Sequence, residues 1–306
     1  MRNIKGTLAL LFCFSLLVPL LHPEQEKPFR RRLSVKLAGG GGFALIGSVN
    51  RSLGLLNNNE TFKKLRENDP DSISGELRGL NNWLADWEIE LKMDLSPKIS
   101  IGVAASAPSH RREESSLSYA MFEDGKRGPW INTLLYRPEA RVSMPTKLNF
   151  YYSWRYWKKP KVILNAGIGY YPARLSQYSS SWIDTAWRST YWEVKPKFPI
   201  GFHGGVSLEY PLLKNLFLVM DIQARYIMLA NLQGRQEERG SDGTYYETNG
   251  TLYSFEFGDG SIPAYYDVLA IFETLEKALE YAGRVRNATL DLTGVILRVG
   301  LRLPLF

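Results

Sequence analysis

Trp87-Glu88-Ile89-Glu90-Leu91-Lys92-Met93-Asp94-Leu95 alternates without a break. Successive side chains of an extended chain point to opposite sides. Trp87, Ile89, Leu91, Met93 and Leu95 therefore share one face, and Glu88, Glu90, Lys92 and Asp94 share the other. A segment with one wholly apolar and one wholly charged face reads as a strand between two different media.

Seven further segments repeat the pattern. Leu33, Val35, Leu37, Phe43 and Leu45 oppose Ser34, Lys36 and a run of small residues, Gly39 to Gly42, that permits sharp bending. Ile99, Ile101, Val103 and Ala105 oppose Ser100, Gly102, Ala104 and Ser106. Val142, Leu148, Phe150, Tyr152, Trp154 and Tyr156 oppose Arg141, Lys147, Asn149, Ser153 and Arg155. The same alternation marks Val162 to Tyr170, Phe202 to Tyr210, Leu216 to Tyr226 and Val295 to Leu303. Eight strands of roughly ten residues have the length that a tilted membrane strand needs. Short connections at Ser96-Pro97, 158–161 and 211–215 alternate with long ones at about 46–83, 110–139, 172–200 and 230–289. The pattern predicts an all-β fold: an eight-stranded antiparallel transmembrane β-barrel whose long external loops carry one or two short amphipathic helices.

Composition narrows the alternatives. Aromatic residues are 13% of the 306, with 17 tyrosines and 8 tryptophans, as suits a chain with two membrane–water interfaces. The net charge of +7 is thinly spread apart from Arg30, Arg31 and Arg32, and no nucleic-acid motif accompanies it. Arg2 and Lys5 precede an apolar run, Thr7 to Leu21, followed by polar residues. This reads as a signal peptide over 1–25, leaving 26–306 as the barrel domain. The only cysteine, Cys13, falls in that leader, so the remainder has neither a disulfide nor a cysteine-bound metal.

The chain ends on the aromatic Phe306, although the positions two, four, six and eight before it are Pro304, Arg302, Gly300 and Arg298, and the apolar series on Leu301, Leu303 and Leu305 runs one residue out of phase. The aromatic ending resembles the terminal strand of bacterial outer-membrane barrels, which the barrel-insertion machinery recognises. With the leader and the eight strands, the chain resembles the small eight-stranded class that includes OmpA-, OmpX- and OmpW-like proteins. The resemblance is one of layout over 33–306. It implies a bacterial outer-membrane location, with outer-membrane lipid and lipopolysaccharide as surroundings. It carries no catalytic or binding residue across.

Three groups of residues could carry function. Lys36, Glu88, Glu90, Lys92, Arg141, Arg155, Glu209, Asp221, Arg225, Arg298 and Arg302 should point inward as a lumen charge network. Such charges either plug the barrel as ion pairs or line a narrow polar path. His203, Ser207 and Glu209 share an inward face, but His203 and Ser207 lie ~13 Å apart along a strand, too far for a catalytic relay. No catalytic set and no metal-ligand set emerges, and no cofactor is called for. The loops are the third group. Asp267 to Arg284 reads as an amphipathic helix carrying Val268, Phe272, Leu275 and Leu279, with Asp267 as cap. Val49 to Leu65 reads as a second helix, capped by Asn50 and carrying Leu53, Leu56, Phe62 and Leu65. The expected arrangement is a lid in which these stripes pack together over the barrel mouth; the alternative is a site for an apolar ligand or partner. The aromatics Tyr178, Trp182, Trp187, Tyr191 and Trp192 read as an interfacial belt, or else a sugar-binding surface. The expected role is non-enzymatic, envelope structure or surface binding, with transport of a small apolar solute and lipid modification as alternatives.

Overall fold

The computed structural model describes residues 32–57, 60–123, 126–154, 160–257, 266–281 and 284–305. The predicted leader 1–25, Arg155 and Phe306 lie outside the described residues.

Eight strands close into an antiparallel cylinder: β1 (Leu33–Ala44), β2 (Trp83–Asp94), β3 (Ile99–Ser106), β4 (Thr146–Trp154), β5 (Lys161–Tyr170), β6 (Ile200–Leu213), β7 (Leu216–Tyr226) and β8 (Gly294–Pro304). Each pairs with its predecessor, and β8 returns to β1. These are the eight alternating segments of the sequence. Leu37, Ile89, Val103, Phe150, Phe202, Ile222 and Val299 lie exposed on the outside. The interior holds Lys36, Glu88, Lys147, Asn149, Ser207 and Arg298, all buried. Among the described residues no helix is long and apolar enough to cross a membrane; these strands make the crossing. At the seam Gly40 lies opposite Arg298. A Cβ there would sit 1.9 Å from the Leu297 carbonyl oxygen, so only glycine lets β1 coil this closely against β8.

The long connections carry short helices, as expected, but most of their length is strand. They form a second antiparallel sheet in the order Tyr266–Phe272, Tyr245–Phe257, Leu232–Gly240, Ala186–Pro196, Ala173–Ile183, Lys126–Val142, Ser115–Glu123, Ile73–Gly75. All four connections contribute, so this sheet rises above the mouth as an external storey. The helix expected over Asp267 to Arg284 is instead a strand, Tyr266–Phe272, followed by a short helix, Leu275–Tyr281. Val268, Leu269, Ala270, Ile271 and Phe272 form a short continuous apolar run, which suits either structure. The run pairs with Tyr245–Phe257, with Phe255 opposite Val268 and Thr251 opposite Phe272. Asp267 is therefore no helix cap. The helix expected over Val49 to Leu65 is two helices, α1 (Ser48–Asn57) and α2 (Glu60–Asn68). Asn50 lies inside α1, where its side chain donates to the Leu80 carbonyl and accepts from the Leu80 amide, both at 2.8 Å. It pins the descending part of the first connection rather than capping a helix.

Inside the external storey the core is apolar: Leu53, Leu117, Leu175, Trp192, Val194, Leu252, Leu269 and Ile271. Helix α1 lies against the Tyr266–Phe272 strand, at one edge of the sheet.

Candidate functional site

Two compartments lie along the barrel axis. The lower one is the lumen. Lys36 donates to Asp221 at 2.9 Å and also bridges Glu88 at 2.9 Å and Glu90 at 3.3 Å. Lys147 meets Glu88 at 2.6 Å, and Arg298 holds Asp86 through Nε at 2.8 Å. Arg302 reaches Glu90 at 3.2 Å and pairs with Glu209. Glu90 also accepts from Asn149 at 2.7 Å and from the Tyr151 hydroxyl. Among the described residues, five cations (Lys36, Lys92, Lys147, Arg298, Arg302) and five carboxylates (Asp86, Glu88, Glu90, Glu209, Asp221) are buried here. The balance matters, because an uncompensated charge in a low-dielectric interior is far costlier than a paired one. An eight-stranded barrel has just enough width for its side chains, so this network fills it.

Of the residues predicted for the network, Lys36, Glu88, Glu90, Lys92, Glu209, Asp221, Arg298 and Arg302 lie buried in the lumen. Arg225 sits at its upper end and donates to the Leu292 carbonyl at 2.9 Å. Arg141 does not belong to it. Its strand, Lys126–Val142, is part of the external sheet, and its side chain is 58% exposed beside Glu139. The alternation in the sequence runs β4 backward across Met144-Pro145, where the chain instead passes from one storey to the other. Asp86 joins the network although it stands one residue before the alternating run that begins at Trp87. His203, Ser207 and Glu209 face inward as expected but are committed elsewhere. His203 Nε2 lies 2.6 Å from the Asn149 side-chain oxygen, Ser207 accepts from Asn165 at 3.3 Å, and Glu209 pairs with Arg302.

Above the lumen comes a mostly apolar stratum of Ile46, Val142, Tyr171, Ile227, Leu290 and Leu292, with the Arg111 and Arg225 side chains beside Val142, Tyr171 and Leu292. Above that, within the external storey, lies the upper compartment, a cavity of about 560 Å³. Its lining includes Leu53 and Leu56 of α1 and Phe62 of α2, together with Leu77, Val268 and Leu269. Polar groups contribute Tyr136, Gln177, Ser179, Thr190, Gln236 and Glu238 to the lining. Most of these polar groups are already matched. Tyr136 donates its hydroxyl to Gln177 at 2.5 Å, and burial pushes that phenol far above its ordinary pKa, so it remains a donor. Gln236 accepts from the Ile271 amide at 2.9 Å and donates to Glu238 at 2.6 Å. Two exceptions also line it: the buried Ser180 hydroxyl meets no partner among the described residues, and neither does the indole N–H of the fully buried Trp192. A buried donor left unmatched costs about 1–3 kcal/mol, which a ligand oxygen or a water would recover.

The predicted lid residues divide. Leu53 and Phe62 are buried and Leu56 and Leu65 are packed against the core, whereas Val268 and Phe272 stand on a strand. Leu275 and Leu279 are about half exposed and do not enter the cavity, while Ala278 between them is buried. The aromatic group divides too. Trp182 and Trp187 face each other near the tip of their hairpin, one storey above the barrel rim, so they form no belt at the lipid boundary. Tyr136, Gln177, Gln236 and Leu269 carry no mark in the sequence that singles them out. The spacing of Trp192 and Val194, which puts both on one face, was the available signal.

A closed eight-stranded cylinder, apolar outside and polar within, with short turns at one end and long connections at the other, is an outer-membrane β-barrel. Its place is the bacterial outer membrane. No family model matches the chain, and no curated protein matches it. Among solved structures it is similar to a major outer membrane protein from Thermus thermophilus, at 12% identity and a TM-score of 0.34 over 90% of this chain and 100% of that one. It is also similar to the outer membrane protein OprG from Pseudomonas aeruginosa, at 8% identity and 0.31 over 89% and 95%. CarO2 from Acinetobacter baumannii gives 12% identity and 0.31 over 88% and 99%. These likenesses concern fold alone; the barrel is established by its own strand pairings.

Proposed function

We propose that the protein is a non-enzymatic, non-conducting outer-membrane barrel whose external storey binds one small, mainly apolar molecule. The observation that carries this is the stacking of the compartments. A ligand-sized, largely apolar cavity stands over a mostly apolar stratum and then a side-chain-filled lumen whose fully buried charges balance. Cavities of roughly 300–1,000 Å³ with apolar walls and a few placed polar groups are what small-molecule sites look like. The closed floor favours capture at the surface over passage across the membrane. The engagement of His203, Ser207 and Glu209 by other lumen groups favours binding over catalysis.

The test joins two measurements on the purified protein in detergent. In planar bilayers it gives no large ohmic current. A fluorescent apolar probe such as N-phenyl-1-naphthylamine binds saturably at one site and perturbs tryptophan emission, and Leu269→Arg, which puts a charge in the cavity wall, abolishes binding. Steady open-pore current, or probe binding unaffected by Leu269→Arg, would overturn the proposal.

A further inference from the structure

The outer face of the external storey carries a row of three cations, Arg141, Arg174 and Lys195, continued by His110, that the chamber does not use. His110 is paired with Arg141, and Arg141 with Arg174, directly across neighbouring strands. Leu175 pairs with Val194, so the same register sets Arg174 opposite Lys195. Inward neighbours on these strands, Ala140, Val142, Ala173, Leu175 and Val194, are buried in the apolar core. The row therefore faces outward; His110 is 51% exposed, Arg141 58% and Arg174 46%, and Lys195 is exposed as well.

Its height is set by the chain. A few residues below it come exposed apolar side chains of the barrel rim: Met144 after Arg141, Tyr170 before Arg174, and Phe198 and Ile200 after Lys195. Cationic residues thus stand immediately above the lipid-facing band, at the end of the barrel with long connections, which is the outer one. Strands lie about 4.8 Å apart, so the row spans roughly 15 Å. Like charges directly opposite one another destabilise a sheet unless something of opposite sign lies between them. Two carboxylates partly answer them from the next row away from the membrane. Glu139 meets Arg141 and, at 2.9 Å, His110, and Glu193 meets Arg174 at 3.2 Å. No ion pair to Lys195 is found among the described residues, and the row keeps a positive excess facing the headgroup level.

We propose that His110, Arg141, Arg174 and Lys195 form a docking site for the phosphorylated headgroup of lipopolysaccharide in the outer leaflet. Arginine forks match phosphate oxygens in paired hydrogen bonds, and the apolar rim below takes the acyl chains. An extended row of cations fits a headgroup with two separated phosphates better than a single phosphodiester.

Native mass spectrometry of the detergent-purified full chain tests this, using bisphosphoryl lipid A, monophosphoryl lipid A and phosphatidylglycerol as probes. Wild type should retain bisphosphoryl lipid A most strongly, monophosphoryl lipid A less and phosphatidylglycerol least. R141Q/R174Q/K195Q should weaken bisphosphoryl lipid A at least tenfold, and the charge-preserving R141K/R174K should lose less. Heat-shifted gel mobility reports whether each variant's barrel is folded. A folded triple variant that binds lipid A like wild type would overturn the site. Phosphatidylglycerol binding as tightly as lipid A would overturn the glycolipid assignment and leave a general anionic-lipid surface.

Discussion

The barrel and the external storey are built from the same strand geometry with opposite polarity. In β5 the outward residues are Ile168 and Tyr170, and the inward ones include Asn165. Just above, on Ala173–Ile183, the outward residue is Arg174, and the inward ones flanking it are Ala173 and Leu175. Even-numbered side chains point out in both. What changes across Tyr171-Pro172 is which set is apolar. The same exchange occurs along β7, where Tyr226 is the last exposed aromatic and Ile227 and Leu229 are buried. The chain does not turn over; the solvent outside it changes from lipid to water, and the apolar parity follows. Parity of apolar residues is thus a depth gauge, and the residue at which it flips marks the membrane surface.

The contrast can be broken most forcefully from inside the lumen. Glu90→Ala leaves Lys36 and Arg302 without one of their carboxylates, and should destabilise the barrel by about 3–5 kcal/mol in denaturant unfolding from detergent. A loss below about 1 kcal/mol would mean that water enters the network and that the plug is loose.

On the outer faces, the two storeys should answer one substitution differently. Val103, 61% exposed on β3, should cost about 2–4 kcal/mol when replaced by Arg, because that face meets hydrocarbon. Tyr246→Arg, equally exposed on the external sheet, should stay within about 0.5 kcal/mol. Equal effects would erase the inferred boundary. In the upper core, Leu269→Ala should cost roughly 2–3 kcal/mol, confined to the external storey. Limited proteolysis should then cut the connections while the barrel keeps its folded gel mobility; loss of both together would show that the storeys fold as one unit.

The smallest effect is one of pH. Burial raises the pKa of Glu139, but Arg141 and His110 outweigh it and hold the carboxyl below its usual range. A depressed folded pKa means that its stabilisation is complete above the ordinary glutamate value, about 4.3, and fades as pH falls through the lowered value. Pepsin should therefore nick the outer sheet of wild type increasingly as the medium is acidified below about pH 4. Glu139→Gln should flatten that dependence, and an unchanged profile in the variant would remove Glu139 as its source.

All eight barrel strands were legible because lipid and a polar lumen press each residue to one extreme. The external strands were not. Leu232–Gly240 reads Leu-Gln-Gly-Arg-Gln-Glu-Glu-Arg-Gly and has almost no apolar alternation. It is a strand because Ala186–Pro196 and Tyr245–Phe257 flank it and pair with it, a tertiary cause invisible in a single segment. Likewise Val268, Ile271, Phe272, Leu275 and Leu279 recur at helical spacing, and the ladder of Tyr266–Phe272 with Tyr245–Phe257 outweighs that local signal. Leu53 and Phe62 could be named as buried loop residues, but what they face could not, since Trp192 and Gln236 arrive from distant connections.

The glycine seam also has a temporal meaning. Lys36 on β1 and Arg302 on β8 are partners separated by nearly the whole length of the barrel chain, and Gly40 and Gly42 leave no side-chain cushion between the two strands. The first strand must wait, one edge unbonded, until the last has been delivered, so closure is the late event of assembly and has the longest loop to gather. A Cβ at position 40 would strike the backbone of β8 at that step. Gly40→Val should therefore show itself as a kinetic trap, with open, protease-sensitive cylinders accumulating before any are sealed.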